Sequence, residues 1–424
     1  MGRQAARVLR NPVARPPHLG HYGGHIGKPV KTAALDAMKL PATEWANTAS
    51  LKAVTDALGS VAGEVRYVGG AVRDTLLGLP VTDVDLATVH KPQEVMARLE
   101  KARIKTVPTG IAHGTVTAVT DDGPVEITTL RRDVSTDGRR ATVAFSDDWR
   151  EDAARRDFTI NALSADPVTG EVFDYFGGVD DLRARRIRFI GSAEDRIAED
   201  YLRIMRYFRF LARFGKREVD AETFEACRAM ASGLTRLSRE RVADELLKLL
   251  GAADPVHAVR AMIEGDIFAS IVAEVDPAAS EVLAQLVRRE AERGAAPDAL
   301  RRLVALLPKD AQNAGAIAKD LKLSKKMQRG IQTRLTLSGD NRPTTQNIRA
   351  AAYYTSVKAA RDAALLFAEE GDVAACLEGL EDWQPPQFPL TGGDLIAQGL
   401  EPGPIVAQTL AKLEREWVER GFVE

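Results

Sequence analysis

Two aspartates, Asp83 and Asp85, follow closely after a pair of glycines, Gly69 and Gly70, and an arginine, Arg73. Side chains alternate along an extended segment, so carboxylates two residues apart on a predicted strand share one face. Such a pair suits Mg²⁺, which takes oxygen ligands from one or two carboxylates and from substrate phosphates. Paired metals of this kind stabilise the attacking and leaving oxygens of an in-line displacement. The pattern therefore indicates metal-assisted chemistry at phosphorus.

The glycines follow a short apolar run, residues 65–68, and precede a predicted helix that carries Arg73. Glycine has no Cβ, so the chain can turn tightly there and a triphosphate can approach the backbone. Arg73 offers a planar fork of donors that matches phosphate oxygens. Taken singly, a Gly-Gly pair is usually a turn and an Asp-x-Asp is usually a solvated strand end. Their order and spacing favour a chemical site.

Residues 68–86 resemble the signature of the nucleotidyltransferase superfamily, specifically the bacterial class II CCA-adding tRNA nucleotidyltransferase and poly(A) polymerase family. Four later segments match further motifs of that family in order: residues 125–131, 155–163, 199–203 and 238–246. The resemblance implies that Asp83 and Asp85 are catalytic metal ligands for Mg²⁺. It also implies that Glu126 is a third catalytic carboxylate, the alternative being an exposed strand residue. The nucleotide-binding residues that it implies are Gly69, Gly70, Arg73, Arg156, Asp157, Asn161, Asp200, Arg203, Arg206 and Arg209.

Asp200 and Arg203 lie three residues apart on a predicted helix running from about Glu194 to Phe214, so their side chains are expected to be neighbours. An acceptor beside a donor matches the amino group and ring nitrogen on the Watson–Crick edges of cytosine and adenine. Uracil and guanine invert that pattern and would leave buried polar groups unpaired, at roughly 1–3 kcal/mol each. The pair is therefore predicted to select C and A. The alternative is an intrahelical salt bridge worth about 0.3–0.5 kcal/mol.

The same helix carries a stripe of arginines, Arg206, Arg209 and Arg213, opposite an apolar face. The resemblance assigns Arg206 and Arg209 to the bound nucleotide. The alternative is that these arginines form a solvated basic surface, and this interpretation has more support for Arg213 than for Arg206 or Arg209. The fifth motif, residues 238–246, begins with a predicted helix cap at Ser238 and is expected to be largely structural.

Composition restricts the class of protein. The chain of 424 residues has 58 Lys and Arg against 60 Asp and Glu, so it lacks the global basicity of many nucleic-acid binders. Any contact with RNA must therefore use a local basic groove. No apolar stretch is long enough for a membrane helix. Cys227 and Cys376 form no disulfide framework, which favours a cytoplasmic protein, and no obligate protein partner is evident.

The predicted fold class is α+β: a nucleotidyltransferase-type α/β head followed by an all-α neck, body and tail. Residues 1–35 contain basic but no acidic side chains and are interpreted as a disordered extension. A targeting presequence, an RNA-binding arm or sequence upstream of a start at Met38 are the alternatives. The expected boundaries are 1–42 for the basic extension, 43–185 for the head, 186–252 for the neck, 253–383 for the body and 384–424 for a tRNA-binding tail.

Two segments indicate which product such an enzyme would make, CCA or poly(A). Residues 109–116 are typical of the CCA-adding branch of the family rather than of poly(A) polymerases. Residues 132–141 are expected to form a polar, glycine-containing loop, which the resemblance implies is needed to switch from C to A addition; a mobile surface loop is the alternative. The function implied is template-independent addition of CCA to the 3′ end of tRNA from CTP and ATP, releasing pyrophosphate.

Two other functions remain open. A poly(A) polymerase would use the same head and the same carboxylates. A non-catalytic RNA-binding protein on this fold belongs to a different class, and the intact pair of Asp83 and Asp85 argues against it because a binding module needs no metal ligands.

Overall fold

The structure, a computed structural model, describes residues 38–137, 140–216, 219–273 and 275–423. The predicted basic extension up to residue 37 lies outside the described residues. All described strands belong to the first half of the chain: β1 (Val65–Val68), β2 (Asp85–Thr88), β3 (Lys105–Gly110), β4 (Thr115–Thr120), β5 (Gly123–Thr129), β6 (Arg131–Asp137), β7 (Arg140–Phe145), β8 (Ser164–Ala165) and β9 (Val172–Phe173).

Helices flank these strands and predominate in the rest of the described chain. In the head and neck they are α1 (Ala49–Ala57), α2 (Gly70–Leu76), α3 (Pro92–Lys101), α4 (Trp149–Ala154), α5 (Gly178–Ala184), α6 (Ala193–Glu199), α7 (Leu202–Phe214), α8 (Ala221–Met230) and α9 (Arg239–Leu250). Beyond the neck they are α10 (Val256–Glu264), α11 (Ala279–Glu292), α12 (Ala299–Leu306), α13 (Ala311–Asp320), α14 (Lys325–Leu335), α15 (Ile348–Tyr354), α16 (Val357–Phe367), α17 (Val373–Glu378), α18 (Gly392–Ala397) and α19 (Pro404–Glu419).

Seven strands form one mixed sheet in the order β3-β4-β5-β2-β1-β8-β9. β2 and β5 are parallel, and the other neighbouring pairs are antiparallel. On β5, Val125 and Ile127 are buried while Glu126 between them is exposed, as the period of a half-buried strand requires. Helices α1 and α3 cover the apolar face, so the opposite face is left to carry the polar side chains.

The segment predicted as a loop, residues 132–141, is mostly strand, and that prediction was wrong. β6 and β7 pair as an antiparallel hairpin in which Arg131 is opposite Phe145 and Asp137 is opposite Arg140. The polar composition and the glycine suggested a loop, but the segment also holds alternating β-branched residues, which favour strand pairing. The tip, residues 138–139, lies outside the described residues.

The predicted continuous helix from Glu194 to Phe214 is broken into α6 and α7, so this prediction also needs correction. Asp200, at the break, has an extended backbone with φ −155° and ψ 107°. Its Oδ1 accepts a hydrogen bond from the backbone N of Leu202 at 3.1 Å. Aspartate can compete in this way with helical hydrogen bonding. The apolar face of α7 is buried as predicted, by Ile204, Met205, Phe208 and Leu211.

A contiguous apolar core runs from Leu40 in the head through the neck to Leu335 in the body. The head begins its contacts before residue 43, because Val172 N on β9 donates to Met38 O at 2.9 Å. Cys227 and Cys376 are buried free thiols. Among the described residues, no helix combines the length and apolar character needed to cross a bilayer.

Candidate active site

Three carboxylates gather at one edge of the polar face of the sheet. Asp85 opens β2 and lies in parallel register with Glu126 on β5. Asp83 precedes β2, so the prediction that both aspartates lie on a strand holds only for Asp85. All three residues reach solvent, although the carboxyl group of Asp85 is partly enclosed by its neighbours, and within the described chain none of them makes an ion pair. The hydroxyl of Thr82 donates to Asp83 Oδ2 at 3.0 Å.

The local charge balance at Asp85 is negative. Partial burial and the neighbouring carboxylates Glu126 and Asp83 raise the pKa of Asp85, while Arg156 opposes them. Burial and the like charges both disfavour the ionised carboxylate, and Arg156 does not fully offset them. A divalent cation would supply that charge.

The donor set also fits a metal shared with a substrate. The described residues contain no cluster of three or more His, Cys, Asp or Glu side chains arranged to hold a metal ion alone. Mg²⁺ is commonly bound by only one or two carboxylates, with phosphates and water completing its shell. Asp83 and Asp85 match this arrangement because they provide hard oxygen ligands and leave space for phosphate.

The glycine turn places its backbone against Arg156. Gly69 has φ +64°, a left-handed conformation that glycine adopts without strain. A Cβ added at Gly69 would lie 3.1 Å from Arg156 Nη1. Arg156 also donates to Asn161 O at 3.4 Å and pairs with Asp152 at 3.3 Å. Arg156 therefore lies between the predicted phosphate turn and the carboxylates, in keeping with its predicted role.

Arg73 has a different environment from the one expected for a phosphate ligand. Its guanidinium is buried, with Nη2 2.7 Å from Asp74 Oδ1 and Nη1 donating to Asn161 Oδ1. It also stacks 4.4 Å from the ring centre of Phe214 on α7. Burial lowers the pKa of Arg73, although Asp74 opposes this. Direct phosphate binding by Arg73 stays a prediction that would require it to exchange these partners.

Asp157 connects the head to the neck helix α7. Its Oδ2 accepts a hydrogen bond from Arg206 Nε at 2.7 Å, and its Oδ1 accepts one from Asn161 Nδ2 at 3.1 Å. Burial alone would raise the pKa of Asp157, but these donors hold it below its usual value. Asp157, Asn161 and Arg206 are thus brought together, as their shared assignment to the nucleotide pocket requires.

Asp200 and Arg203 do not bond to each other. Asp200 Oδ2 accepts from Arg241 Nη2 at 2.6 Å, whereas Arg203 Nη1 donates to Arg196 O at 2.7 Å and to Glu199. Because Asp200 is outside α7, the prediction of two neighbours on one helical face was wrong. Both groups remain half-buried on the neck, beside the head.

The arginine stripe of α7 is paired rather than freely solvated. Arg209 Nε lies 2.6 Å from Glu245 Oε2, and Arg213 Nη2 lies 3.1 Å from Asp74 Oδ2. Sequence reasoning did not single out Arg241 and Glu245 as partners of the site. Their signal was a pair of opposite charges at i and i+4 on the helix of the fifth motif.

Comparison with known proteins decides the family. The family model described as Poly A polymerase head domain matches residues 65–188, and one described as Probable RNA and SrmB- binding site of polymerase A matches residues 218–279. The mitochondrial CCA tRNA nucleotidyltransferase 1 of Mus musculus is 34% identical over 400 residues, covering 92% of this chain and 91% of the mouse protein. The chain belongs to the CCA tRNA nucleotidyltransferase family.

Other members agree with this assignment. The CCA-adding enzyme of Streptococcus pyogenes serotype M2 (strain MGAS10270) is 46% identical over 202 residues, covering 47% of this chain and 49% of that enzyme. The crystal structure of Bacillus stearothermophilus CCA-adding enzyme in complex with CTP has a TM-score of 0.73 at 28% identity, covering 89% of this chain and 94% of that one. These similarities confirm the predicted fold class and the prediction of a nucleotidyltransferase.

Proposed function

We propose that the protein adds CCA to the 3′ end of tRNA, using CTP and ATP, releasing pyrophosphate and needing no nucleic-acid template. The observation that carries this proposal is the similarity to CCA tRNA nucleotidyltransferases over nine-tenths of both chains. The exposed carboxylates beside Arg156 and the glycine turn support it, because they provide the parts that a nucleotidyl transfer needs. In this proposal residues 43–185 perform the chemistry, residues 186–252 select the base, and the body and tail, residues 253–383 and 384–424, bind tRNA.

Asp83 and Asp85 would hold Mg²⁺, with Glu126 as a third carboxylate beside it. When bound, Mg²⁺ would offset the charge that develops on the α-phosphate and on the departing pyrophosphate. The unneutralised charge around Asp85 supports this choice of cofactor.

The protein groups would bind and orient the triphosphate. The backbone of Gly69 and Gly70 allows close approach, and the guanidinium of Arg156 can donate to phosphate oxygens. The 3′-hydroxyl oxygen of tRNA then forms a bond to the α-phosphorus while the bond to pyrophosphate breaks, and the hydroxyl proton is released to solvent. Holding these groups in line supplies much of the rate enhancement in phosphoryl transfer.

Asp200 and Arg203 would read the base. An ionised carboxylate has about four lone-pair positions, so Asp200 can accept from an amino group while keeping its present bonds. Arg203 would have to release Glu199 in order to donate to the ring nitrogen of the base. Selection would then depend on a rearrangement of Arg203 rather than on a pair that is already aligned.

We also propose a cytoplasmic location. The buried, free state of Cys227 and Cys376 supports this, because thiols remain reduced in that compartment.

The direct test is incorporation into tRNA that lacks its last three nucleotides. We expect two additions from CTP alone, three from CTP with ATP, and little from ATP alone. Sequencing the product ends distinguishes the alternatives: a long A tail from ATP alone would indicate a poly(A) polymerase, and a lack of any addition would indicate a binding protein.

A further inference from the structure

The carboxylate of Asp200 is fixed at both oxygens. Oδ1 accepts from Leu202 N at 3.1 Å, and Oδ2 accepts from Arg241 Nη2 at 2.6 Å. The first bond is local and belongs to the break between α6 and α7. The second reaches 41 residues along the chain to α9. The direction in which Asp200 points is therefore set by a helix outside the motif that contains it.

Arg203 is a cation within sequence reach of Asp200, three residues after it. Side chains three residues apart near a helix start can pair, and the backbone N of Arg203 already donates to Asp200 O at 3.0 Å. A salt bridge between the two side chains would use both base-reading groups at once. In the structure this is avoided, because Arg241 holds Asp200 and Glu199 holds Arg203.

The same helix repeats the arrangement one turn later. Glu245 lies four residues after Arg241 and pairs with Arg209 of α7 at 2.6 Å. Arg241 and Glu245 therefore lie on one face of α9 and each binds a residue of the predicted nucleotide pocket. Arg241 binds the acidic Asp200, and Glu245 binds the basic Arg209. This matching of opposite signs at consecutive turns indicates that α9 supports the pocket.

We propose that Arg241 is a positioning residue for base selection. By holding Oδ2, it directs Asp200 toward the base and keeps it from pairing with Arg203, so that the carboxylate can accept from the amino group of C or A. This inference rests on the proposed function. It revises the expectation that the fifth motif, residues 238–246, is largely structural.

The test compares Arg241→Gln with the matched control Arg239→Gln. Arg239 is on the same helix and is similarly half-buried, but it bonds to Ile271 O and to Asp320, away from Asp200. For each protein, kcat/KM is measured with CTP and UTP on tRNA lacking CCA, together with thermal stability and tRNA affinity. A partly exposed ion pair contributes little to stability, so both variants are expected to fold.

We expect Arg241→Gln to lower the CTP-to-UTP selectivity about tenfold, which corresponds to about 1.4 kcal/mol, while Arg239→Gln keeps it. In a background of Asp200→Asn, Arg241→Gln should cause no further loss, because its effect acts through Asp200. A purely structural role would lower stability and slow both nucleotides equally without changing their ratio.

Wild-type selectivity in Arg241→Gln would overturn the inference. If that variant does not fold, Arg241→Lys replaces it: a lysine keeps the charge but lacks the planar fork, so we expect a drop of about threefold, and an unchanged ratio would overturn the inference equally. Failure of the wild-type protein to add C or A at all would instead refute the proposed function.

Discussion

In the head, Asp83, Asp85 and Glu126 reach solvent and make no ion pair among the described residues, although Arg156 lies close enough to act on Asp85. In the neck, Asp200 is bonded to Arg241 and Arg209 to Glu245. The head thus leaves its negative charge to be neutralised by a ligand, whereas the neck neutralises its charges within the chain. The two regions lie side by side, joined through Asp157 and Arg206.

This difference has energetic consequences. Like charges placed close together oppose folding slightly until a cation arrives, so removing one of them should not destabilise the head. In the neck, Asp200 and Arg209 are each held by an opposite charge, and removing either partner of such a pair leaves the other without its bond. Substitutions in the head should therefore affect chemistry, and those in the neck should affect which nucleotide is chosen.

The largest effect is expected from the head carboxylates. Asp83→Ala or Asp85→Ala should reduce C and A addition alike by about a thousandfold or more, because the transition-state charge loses several kcal/mol of stabilisation. Single-turnover incorporation of CTP and ATP measures this. Circular dichroism and tRNA binding should stay near wild type.

The matched control is Asp122→Ala, an equally acidic and exposed side chain in the turn between β4 and β5. It should keep full activity. Retained turnover in Asp83→Ala or Asp85→Ala would contradict the metal assignment and remove the proposed contrast between the two regions.

Removing the hairpin β6–β7 tests whether the head performs only the chemical step or also influences which nucleotide is added. Arg131 and Phe145 are directly opposite each other, so residues 132–144 can be replaced by a two-residue Asn-Gly turn that closes the gap. We expect C addition to persist and A addition to fall by about a hundredfold, as expected for loss of a positioning element. Gel analysis should then show tRNA ending in CC.

A deletion variant that adds the terminal A at the wild-type rate would make the hairpin a surface feature. A variant that loses C addition as well would place the hairpin in the chemical step. Loss of A addition with C addition retained is the result that would show that the head takes part in nucleotide choice.

The arrangement of the head could largely be predicted from the sequence, because its signals are local. The glycine turn after β1 and the proline that opens α3 mark element boundaries within a few residues of themselves. The adjacency of Asp85 and Glu126 is different, since it needs the register of two parallel strands 41 residues apart. Only the family resemblance indicated it.

The neck was harder to predict, because its decisive contacts are tertiary. The helical period continues in phase across Asp200, so no periodic signal marks the break between α6 and α7. At this break, Asp200 accepts a hydrogen bond from Arg241, which lies on another helix. Arg73 likewise has the sequence context of a phosphate ligand, and its burial follows from docking of α7, through Phe214, onto the head.

Changes to the base-reading residues should have smaller effects than loss of the metal ligands. Asp200→Ala removes the acceptor for the amino group, so CTP incorporation should slow and discrimination against UTP should fall by roughly 1–3 kcal/mol. Arg203→Ala should slow both correct nucleotides. Single-nucleotide incorporation of CTP, ATP, UTP and GTP provides the comparison, and unchanged selectivity in both variants would mean that the base is read elsewhere.

The smallest effect concerns the pH dependence set by Glu126. Burial and the charges of Glu126 and Asp83 raise the pKa of Asp85, which must be ionised to hold a cation. Activity should therefore rise with pH through that raised pKa. Glu126→Gln removes one like charge, so the acid limb of the kcat/KM profile should move to lower pH, whereas the control Asp122→Asn should not move it.

Stability without metal gives an independent measure with a defined sign. A raised pKa in the folded state means that the contribution of Asp85 to stability is fully present below its ordinary pKa and is lost as pH rises through the raised value. Glu126→Gln should reduce this loss, so urea unfolding of the variant should show a weaker decline over the same pH window. An acid limb and an unfolding profile identical to wild type would show that Glu126 does not act on Asp85, and that the unneutralised charge of the head has another source.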